Sequence, residues 1–488
     1  MQQFFSAIES AIYPIVVKFN EYLSSYMLII LLIAIGLYFT IRTKFVQIRC
    51  FGEGMKNVFG NFSLKGGKQK SGLSSFQALA TAIAAQVGTG NIVGACGAIL
   101  IGGPGAIFWM WVIAFFGMAT IYGEAVAAQK TRVVDADGTV HGGPVYYIRS
   151  VFKGGFGKFL AAFFAVAAIL ALGFMGSMVQ SNSIAESMST AFNIPTWVVG
   201  IVLVIIAGFI FIGGVQRIGA VTEKLVPVMA ILYIIGGIIV LCVRAEYILD
   251  VFGMIFKYAF NANAILGGSI GSAIYLAATQ GAKRGLFSNE AGMGSTPHAH
   301  AQANVKDPHD QGTSAMIGVF IDTFVVLTFT ALVVISTLFT GEGALNPANF
   351  AEGQFLSGAA EAAGLAKTNL AQVAFGSALG NMNVGSIFVA ICLFFFAFST
   401  IISWNLFGRI NVVYLFGKKS NMIYSIISVL FIFMGCMLSN NLVWELTDMF
   451  NYLMVIPNVL ALFFLGKAVA ESANKKRVKA PKEDKKED

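Results

Sequence analysis

The sequence predicts an all-α integral membrane protein with about eleven transmembrane helices. Of its 488 residues, 57% are hydrophobic and only 11% are charged, whereas soluble domains carry about 25% charged residues. The mean hydropathy is +0.76, and stretches such as 197–213 are apolar on every face. A membrane β-barrel would instead alternate apolar and polar residues. The membrane spans are therefore predicted to be helices.

The spans can be assigned one by one, because a helix needs about 20 apolar residues to cross the hydrocarbon core. Eleven apolar segments meet or approach this length: 26–41, 75–101, 106–129, 158–190, 197–213, 220–243, 255–285, 313–339, 380–406, 421–439 and 443–466.

Basic residues predict the orientation, since cytoplasmic loops carry an excess of Lys and Arg. If the loop 42–74 is cytoplasmic, all but four of the 32 Lys and Arg residues fall on that side. We therefore expect a multi-pass protein of the plasma (inner) membrane, with its N-terminus outside and its C-terminus in the cytoplasm. The net charge of +8 then predicts contact with the lipid bilayer, whose cytoplasmic surface is anionic, and not with nucleic acid.

One span is interrupted about midway along its length. Gly88 and Gly90 allow backbone angles that break a helix, and polar residues at 86, 89 and 91 surround them. Irregular backbone is tolerated at this depth only where protein covers it or where it lines a cavity. Close helix packing through small residues is the alternative role for any single glycine.

A second interruption is predicted at 267–272 in the segment 255–285. The competing position, 279–281, would bring Lys283 and Arg284 near the bilayer centre at a cost of roughly 5–7 kcal/mol. The earlier position moves both cations to the cytoplasmic surface, so we expect the break there.

The two breaks divide the chain into two halves of five helices. Residues 1–74 form an extra helix and a basic loop, 75–243 a first repeat, 244–466 a second repeat, and 467–488 a charged tail. An odd number of spans in each half makes the halves run in opposite directions. Inverted repeats of this kind, with broken helices at the midplane, are typical of secondary transporters.

Three runs resemble signatures of the alanine or glycine:cation symporter family, also called sodium:alanine symporters. They are Val87–Ile92, Gly102–Trp109 and Lys283–Ser295. The resemblance implies the leucine-transporter fold, here preceded by one extra helix. Val87–Asn91 also resembles the Val-Gly-x-Gly-Asn run in the first core helix of the neurotransmitter:sodium symporters. That resemblance implies that the carbonyls of Ala84 and Val87 face a sodium ion, that amides near Gly88 and Gly90 face a substrate carboxylate, and that Asn91 lies close to both. Gln86 departs from the small residue that the resemblance suggests.

The chemistry of the remaining residues adds candidates to this site. Sodium is a hard cation that prefers oxygen ligands, which the hydroxyl pair Ser399 and Thr400 can supply, although such hydroxyls often bond their own helix. Trp404 lies on the same helix face as Thr400 and can wall a pocket. The predicted substrate site comprises Gln86, Gly88, Thr89, Gly90, Asn91, Gln180, Gly268, Ser269, Ile270, Gly271, Thr400 and Trp404, and the predicted sodium ligands are Ala84, Val87, Asn91, Ser399 and Thr400.

Two further groups of titratable residues stand out. Asp322 is the acid placed deepest in a span, and an intramembrane acid is a functional hypothesis by default, here as a proton or cation carrier. The alternative is a residue near the cytoplasmic end of its helix that faces water. His298, His300 and His309 have no cysteine nearby in the sequence and do not predict a metal site.

The predicted function is sodium-coupled import of a small neutral amino acid by alternating access. Alanine, glycine, serine and glutamine remain open as substrates, and we expect a monomer that needs no cofactor besides Na⁺ as the coupling ion. A proton-coupled symporter is the nearest alternative, and a channel or facilitator is a further one, since broken helices also build selectivity filters. The zinc-protease, hydrolase and ATP-binding motifs are absent from the sequence, so an enzyme is not expected.

Overall fold

The computed structural model describes residues 2–60 and 72–475. Part of the predicted basic loop, at 61–71, and most of the predicted charged tail, at 476–488, lie outside these residues. The chain starts with one uninterrupted helical run, α1 (Gln2–Tyr22), a π-helical segment (Leu23–Leu28) and α2 (Ile29–Arg42). Two short helices follow, α3 (Val46–Arg49) and α4 (Phe51–Phe59).

The first predicted repeat is helical except for one small hairpin. Its elements are α5 (Ser75–Gln86), a π-helical segment (Gly90–Gly94), α6 (Ala95–Gly102), α7 (Gly105–Thr131), β1 (Val133–Val134), β2 (Val140–His141), α8 (Pro144–Val151), α9 (Gly154–Ala168), a π-helical segment (Ile169–Gly176), α10 (Ser177–Phe192), α11 (Thr196–Ile212) and α12 (Gly214–Val243). The two strands pair antiparallel, with Val133 opposite His141 and Val134 opposite Val140.

The second predicted repeat contains more short helices. Its elements are a 3₁₀ turn (Ala245–Tyr247), α13 (Ile248–Phe260), α14 (Asn263–Leu266), α15 (Ile270–Asn289), α16 (Pro297–Gln302), α17 (Pro308–Val319), a π-helical segment (Phe320–Leu327), α18 (Thr328–Leu338), a 3₁₀ turn (Pro347–Asn349), α19 (Leu356–Ala362), α20 (Leu370–Ala378), α21 (Met382–Phe416), a 3₁₀ turn (Lys418–Ser420), α22 (Asn421–Gly435) and α23 (Asn440–Asn474).

Long apolar helices make this a multi-pass membrane protein. Within the described residues, six helices are long and apolar enough to cross a membrane, and the bent pair α5 and α6 raises the number to seven. Two shorter apolar helices, Ile29–Arg42 and Thr196–Ile212, coincide with predicted spans. Each predicted segment overlaps a helix, but the count of eleven spans stays a prediction.

The first break occurs where the sequence predicts it. Helix α5 begins at a capping box, in which the Ser74 hydroxyl accepts from the Gln77 amide and the Gln77 side chain accepts from the Ser74 amide. The helix ends at Gln86, the chain resumes a helical path at Gly90, and the two halves are bent by 42°. All residues from 77 to 99 are buried, so protein covers the irregular backbone.

The chain is interrupted at the predicted second position, 267–272, but residues 268–271 are exposed, so this interruption is not the buried break that the prediction requires. Helix α13 ends at Phe260, and α15 begins afresh at Ile270 after a turn in which Gly267 and Gly268 have positive φ. The buried interruption comes later, at 290–296, where Glu290, Gly292 and Gly294 have φ of 59°, 93° and 81°. All residues from 285 to 303 are buried, as irregular backbone inside a membrane requires.

Three segments predicted to be cytoplasmic meet at one end of the helix bundle. Leu73 forms a β-bridge with Ala303, and the Gln302 side chain donates to the carbonyl of Val140 in the hairpin at 3.0 Å. The Gln129 side chain at the end of α7 donates to the carbonyl of His300 at 2.5 Å. The segments around 73, 140 and 300 therefore share one face, as the predicted topology requires.

Candidate functional site

The unwound backbone of the first break is held by polar side chains. The Gly88 amide donates to Asn91 Oδ1 at 2.9 Å, and the Thr89 amide donates to Gln180 Oε1 of α10 at 3.0 Å. Gln180 is thus brought to the break as predicted, but as an acceptor for the backbone. The Gly88 amide, expected to face a substrate carboxylate, is bonded to Asn91 in this conformation.

Space around the two glycines of the break is tight. A Cβ added at Gly88 would lie 2.3 Å from Thr400 Oγ1 and 3.2 Å from Gln180 Oε1. A Cβ at Gly90 would lie 3.0 Å from the Cα of Ser288. Glycine is required at 88 because the backbone approaches α21 too closely for any side chain.

The carbonyl of Ala84 meets the predicted hydroxyl pair of α21. Thr400 Oγ1 donates to this carbonyl at 2.8 Å, and Ser399 Oγ lies 3.4 Å from it. Both hydroxyls also contact the carbonyl of Phe396 in their own helix, at 3.1 and 2.8 Å. Three of the predicted sodium ligands, Ala84, Ser399 and Thr400, therefore converge in a buried position. Val87 is buried beside the break.

Asp322 lies in the π-helical segment between α17 and α18. Its carboxylate accepts from Asn91 Nδ2 at 2.6 Å, from Ser288 Oγ at 3.0 Å and from Thr323 Oγ1 at 2.8 Å. The side chain is fully buried, so it is not a solvated residue at a helix end. Asp322 links the first break to the last turn of α15.

Gln86 links the two breaks directly. Its side-chain amide donates to the carbonyl of Asn289, the last residue of α15, at 2.7 Å. Its amide oxygen lies beside Gly318, where an added Cβ would come within 3.0 Å of it. Gln86 therefore braces the two breaks against each other.

A buried acid that the sequence analysis missed holds the second break. Glu124 of α7 accepts from the amides of Gly292 at 3.1 Å and Gly294 at 3.0 Å, and from Asn458 Nδ2 at 2.6 Å. Tyr147 in turn donates to Asn458. An acid inside the apolar segment 106–129 was the available signal, since such residues are functional candidates by default.

A second buried acid, Glu290, anchors the predicted pocket wall. Trp404 Nε1 donates to Glu290 Oε1 at 2.6 Å, and Ser295 donates to the other carboxylate oxygen. Trp404 is 1% exposed and packs against Phe287, with the ring centroids 5.8 Å apart. Glu290 thus fixes the orientation of Trp404.

A charged cluster around Trp444, which packs against Phe287, explains why the sequence analysis did not place a break after Arg284. Arg284 Nη2 is 2.8 Å from Asp448 Oδ2, and the guanidinium lies 4.5 Å from the ring centre of Trp444. Lys367, from a predicted outer loop, lies 5.3 Å from the same ring. Arg284 therefore lies on the α15 side of the break with a paired charge, which offsets the cost that the sequence argument assigned to it.

The four residues predicted from the misplaced break lie outside this assembly. Gly268, Ser269, Ile270 and Gly271 are exposed at the start of α15. Ser269 accepts from the amide of Ser272 at 3.2 Å, so it serves as the N-cap of the helix. The polar residues that led to the prediction of a binding site here instead form the start of a helix.

Comparison with known proteins identifies the family. The model of the "Sodium:alanine symporter family" matches residues 9–488. The chain is 39% identical to "Sodium/alanine symporter AgcS" of Methanococcus maripaludis, over 93% of this chain and 95% of that protein. It is 38% identical to "Probable sodium/glutamine symporter GlnT" of Bacillus subtilis, over 92% of this chain and 87% of that protein.

A solved structure supports the fold. The crystal structure of MhsT in complex with L-phenylalanine superimposes with a TM-score of 0.58 at 15% identity, over 83% of this chain and 96% of that one. This likeness confirms the predicted leucine-transporter type of fold. Together with the family match over nearly the whole chain, it leads to one identification: the chain belongs to the sodium:alanine symporter family.

Proposed function

We propose that this protein couples the entry of Na⁺ to the uptake of a small neutral amino acid, with alanine as the first substrate to test. The observation that carries the proposal is the convergence of the Ala84 carbonyl with the hydroxyls of Ser399 and Thr400 at the first break. The names of the relatives, which include a sodium/alanine symporter, support the same pairing of ion and substrate.

The oxygen atoms at the first break suit a sodium ion. Na⁺ prefers hard oxygen ligands, and a backbone carbonyl with two hydroxyls supplies them without a buried countercharge. The Thr400 and Ser399 hydroxyls can turn their hydrogens to the Phe396 carbonyl, since each already contacts it within 3.1 Å. Their lone pairs, the Ala84 carbonyl and the Val87 carbonyl then bind the ion.

Asp322 is proposed as a ligand of a second cation and not as a proton carrier. Asn91, Ser288 and Thr323 each offer a donor to its carboxylate, and donors of this kind stabilise the ionised form. A cation beside Asp322 would contact residues of both breaks. Binding there would draw the first break and α15 together around the substrate.

The substrate is proposed to lie between the breaks, with Gln180 and Trp404 nearby. The half-helix that resumes at Gly90 presents its N-terminus, which favours the substrate carboxylate, and α15 ends at Asn289, where partial negative charge favours the ammonium group. No charged substrate group requires an opposite charge beyond these helix ends.

The proposed cycle moves the site between the two sides of the membrane. On the outer side, Arg284, Asp448 and Trp444 cover the pocket; on the other side, the buried loop 290–303 closes it. We propose that the first repeat, 75–243, and the second, 244–466, rock against each other, with the C-terminus in the cytoplasm. One Na⁺ moving down ~100 mV and a tenfold gradient releases about 3.7 kcal/mol, enough for roughly 500-fold accumulation.

Uptake of radiolabelled alanine into proteoliposomes tests the proposal. We expect an inward Na⁺ gradient to drive transient accumulation above equilibrium, and a sodium ionophore or replacement of Na⁺ by K⁺ to abolish it. Accumulation driven by a pH gradient without Na⁺ would support proton coupling instead. Equilibration without accumulation would indicate a facilitator, and either result would refute the sodium-coupled mechanism.

A further inference from the structure

Three potential metal ligands meet where α4 packs against α17. They are Cys50, at the junction of α3 and α4, Glu53, in the first turn of α4, and His309, in the first turn of α17. One ligand atom from each, the thiol sulfur, a carboxylate oxygen and an imidazole nitrogen, all lie within 4.8 Å of one another. We propose that these three residues bind a zinc-class divalent ion, which fastens α4 to α17.

The fold brings these ligands together through close helix packing. A Cβ at Gly54 would lie 2.8 Å from both Ile317 and the Thr313 carbonyl of α17, so glycine allows α4 to touch that helix. One turn further, Asn57 Nδ2 donates to Thr313 Oγ1 at 2.9 Å. Residues 50 and 53 lie three positions apart at the start of α4 and therefore project to one side, towards His309.

The ligand types and distances fit zinc. Thiolate, imidazole and carboxylate are the usual protein ligands of Zn²⁺, and tetrahedral bonds of 2.0–2.3 Å put the ligand atoms about 3.3–3.8 Å apart. His309 Nε2 and Glu53 Oε2 are already 3.3 Å apart. All three ligand atoms lie within 4.8 Å of one another, so side-chain rotations of about 1 Å bring them into this range. The Glu53 side chain is 34% exposed, which leaves a route for the ion and a position for a water ligand.

Tyr122 prepares His309 for this role. Its hydroxyl is 2.6 Å from His309 Nδ1, and the ring of Tyr122 is fully buried in α7. A partner on Nδ1 fixes the ring and directs Nε2 to the metal, which is the outer-shell arrangement common at histidine ligands. Without a metal, hydrogen bonds connect Tyr122 through His309 to Glu53.

Cys50 is the ligand to test, because a thiolate bound to a metal gives a spectroscopic signature that a hydrogen bond does not give. It is 6% exposed, close enough to an exposed carboxylate for an ion to reach it. The site connects the helical run 2–42 and α4 to α17, whose continuation carries Asp322. An ion bound there would restrain movement of the first helices relative to the core.

Zinc binding to the purified full-length protein in detergent, prepared without a polyhistidine tag, tests the inference. After equilibration with Zn²⁺ and dialysis, we expect about one zinc per chain in the wild type. The matched control Cys242→Ser, which changes an exposed cysteine, should retain it. Cys50→Ser should lower the affinity for Zn²⁺ at least about tenfold, and Glu53→Gln, at a partly exposed position, should lower it as well.

One spectroscopic and one thermal measurement accompany the binding data. Co²⁺ should give a thiolate charge-transfer band in the wild type and in Cys242→Ser but not in Cys50→Ser. Zn²⁺ should raise the unfolding midpoint of the wild type and not of Cys50→Ser, since a ligand stabilises only the state that binds it. Equal zinc affinity in Cys50→Ser and the wild type, or no stoichiometric zinc in either, would overturn the proposal; neither result bears on sodium-coupled uptake.

Discussion

Replacing Thr400 by valine tests the sodium ligands with little change in shape. The substitution removes the hydroxyl that lies 2.8 Å from the Ala84 carbonyl and keeps the branched side chain. A hydrogen bond or ligand contact to a charged group contributes about 1.5–3 kcal/mol, which corresponds to roughly 10- to 150-fold in affinity. Ser399 remains 3.4 Å from the same carbonyl, so we expect the low end of this range.

The assay is the Na⁺ concentration that gives half-maximal alanine uptake in proteoliposomes. We expect it to rise roughly tenfold or more in Thr400→Val, with little change in the amount of folded protein. Thr447→Val is the matched control, because that buried hydroxyl bonds the Val443 carbonyl of its own helix at 2.8 Å. An unchanged sodium requirement in Thr400→Val would remove Thr400 from the site.

Three further variants test other parts of the account. Gly88→Ala should abolish uptake, because its Cβ would lie 2.3 Å from Thr400 Oγ1, whereas Gly208→Ala, whose Cβ would lie 3.9 Å from its nearest neighbour, should transport normally. Asp322→Asn should weaken cation binding and make substrate binding less dependent on Na⁺; unaltered dependence would exclude a second cation at this residue. Asp448→Asn leaves Arg284 without its partner and should cost about 3–5 kcal/mol, seen as a lower unfolding midpoint, while the double variant Arg284→Gln/Asp448→Asn should recover part of the loss. Equal midpoints for the single and double variants would contradict this.

The first break could be predicted because its signal is local. Gly88 and Gly90 stand beside polar residues in an otherwise apolar segment. Inside a membrane no water can hydrogen-bond to irregular backbone, so such a segment must be covered by protein or line a cavity. The partners Thr400 and Asn91 followed from hydroxyl and amide chemistry together with the family resemblance. In the structure Thr400 contacts the carbonyl of Ala84 and Asn91 contacts Asp322, and the roles of both as ligands stay predictions.

The second break was misplaced because its explanation is non-local. The cost assigned to Arg284 assumed an unpaired cation, but its partner Asp448 is 164 positions away in the sequence. Glycines at 292 and 294 were visible in the sequence and both adopt positive φ. Their backbone amides donate to Glu124, however, and this contact forms only because α7 packs against the segment 290–296.

The proposed zinc ligands show the same limit. His309 has no cysteine near it in the sequence, and Cys50 reaches it only because Gly54 lets α4 lie against α17. Pairings of this kind depend on the tertiary fold. Local patterns predicted the helices and one break, whereas the contacts between distant residues required the structure.

The central claim is that sodium and amino acid move together through one site, and reciprocal flux tests it most directly. In proteoliposomes with equal Na⁺ on both sides, an inward alanine gradient should drive the uptake of radioactive sodium, because coupling between two ligands acts in both directions. Thr400→Val should diminish this flux at sodium concentrations that saturate the wild type. Alanine entry that moves no sodium would contradict the account.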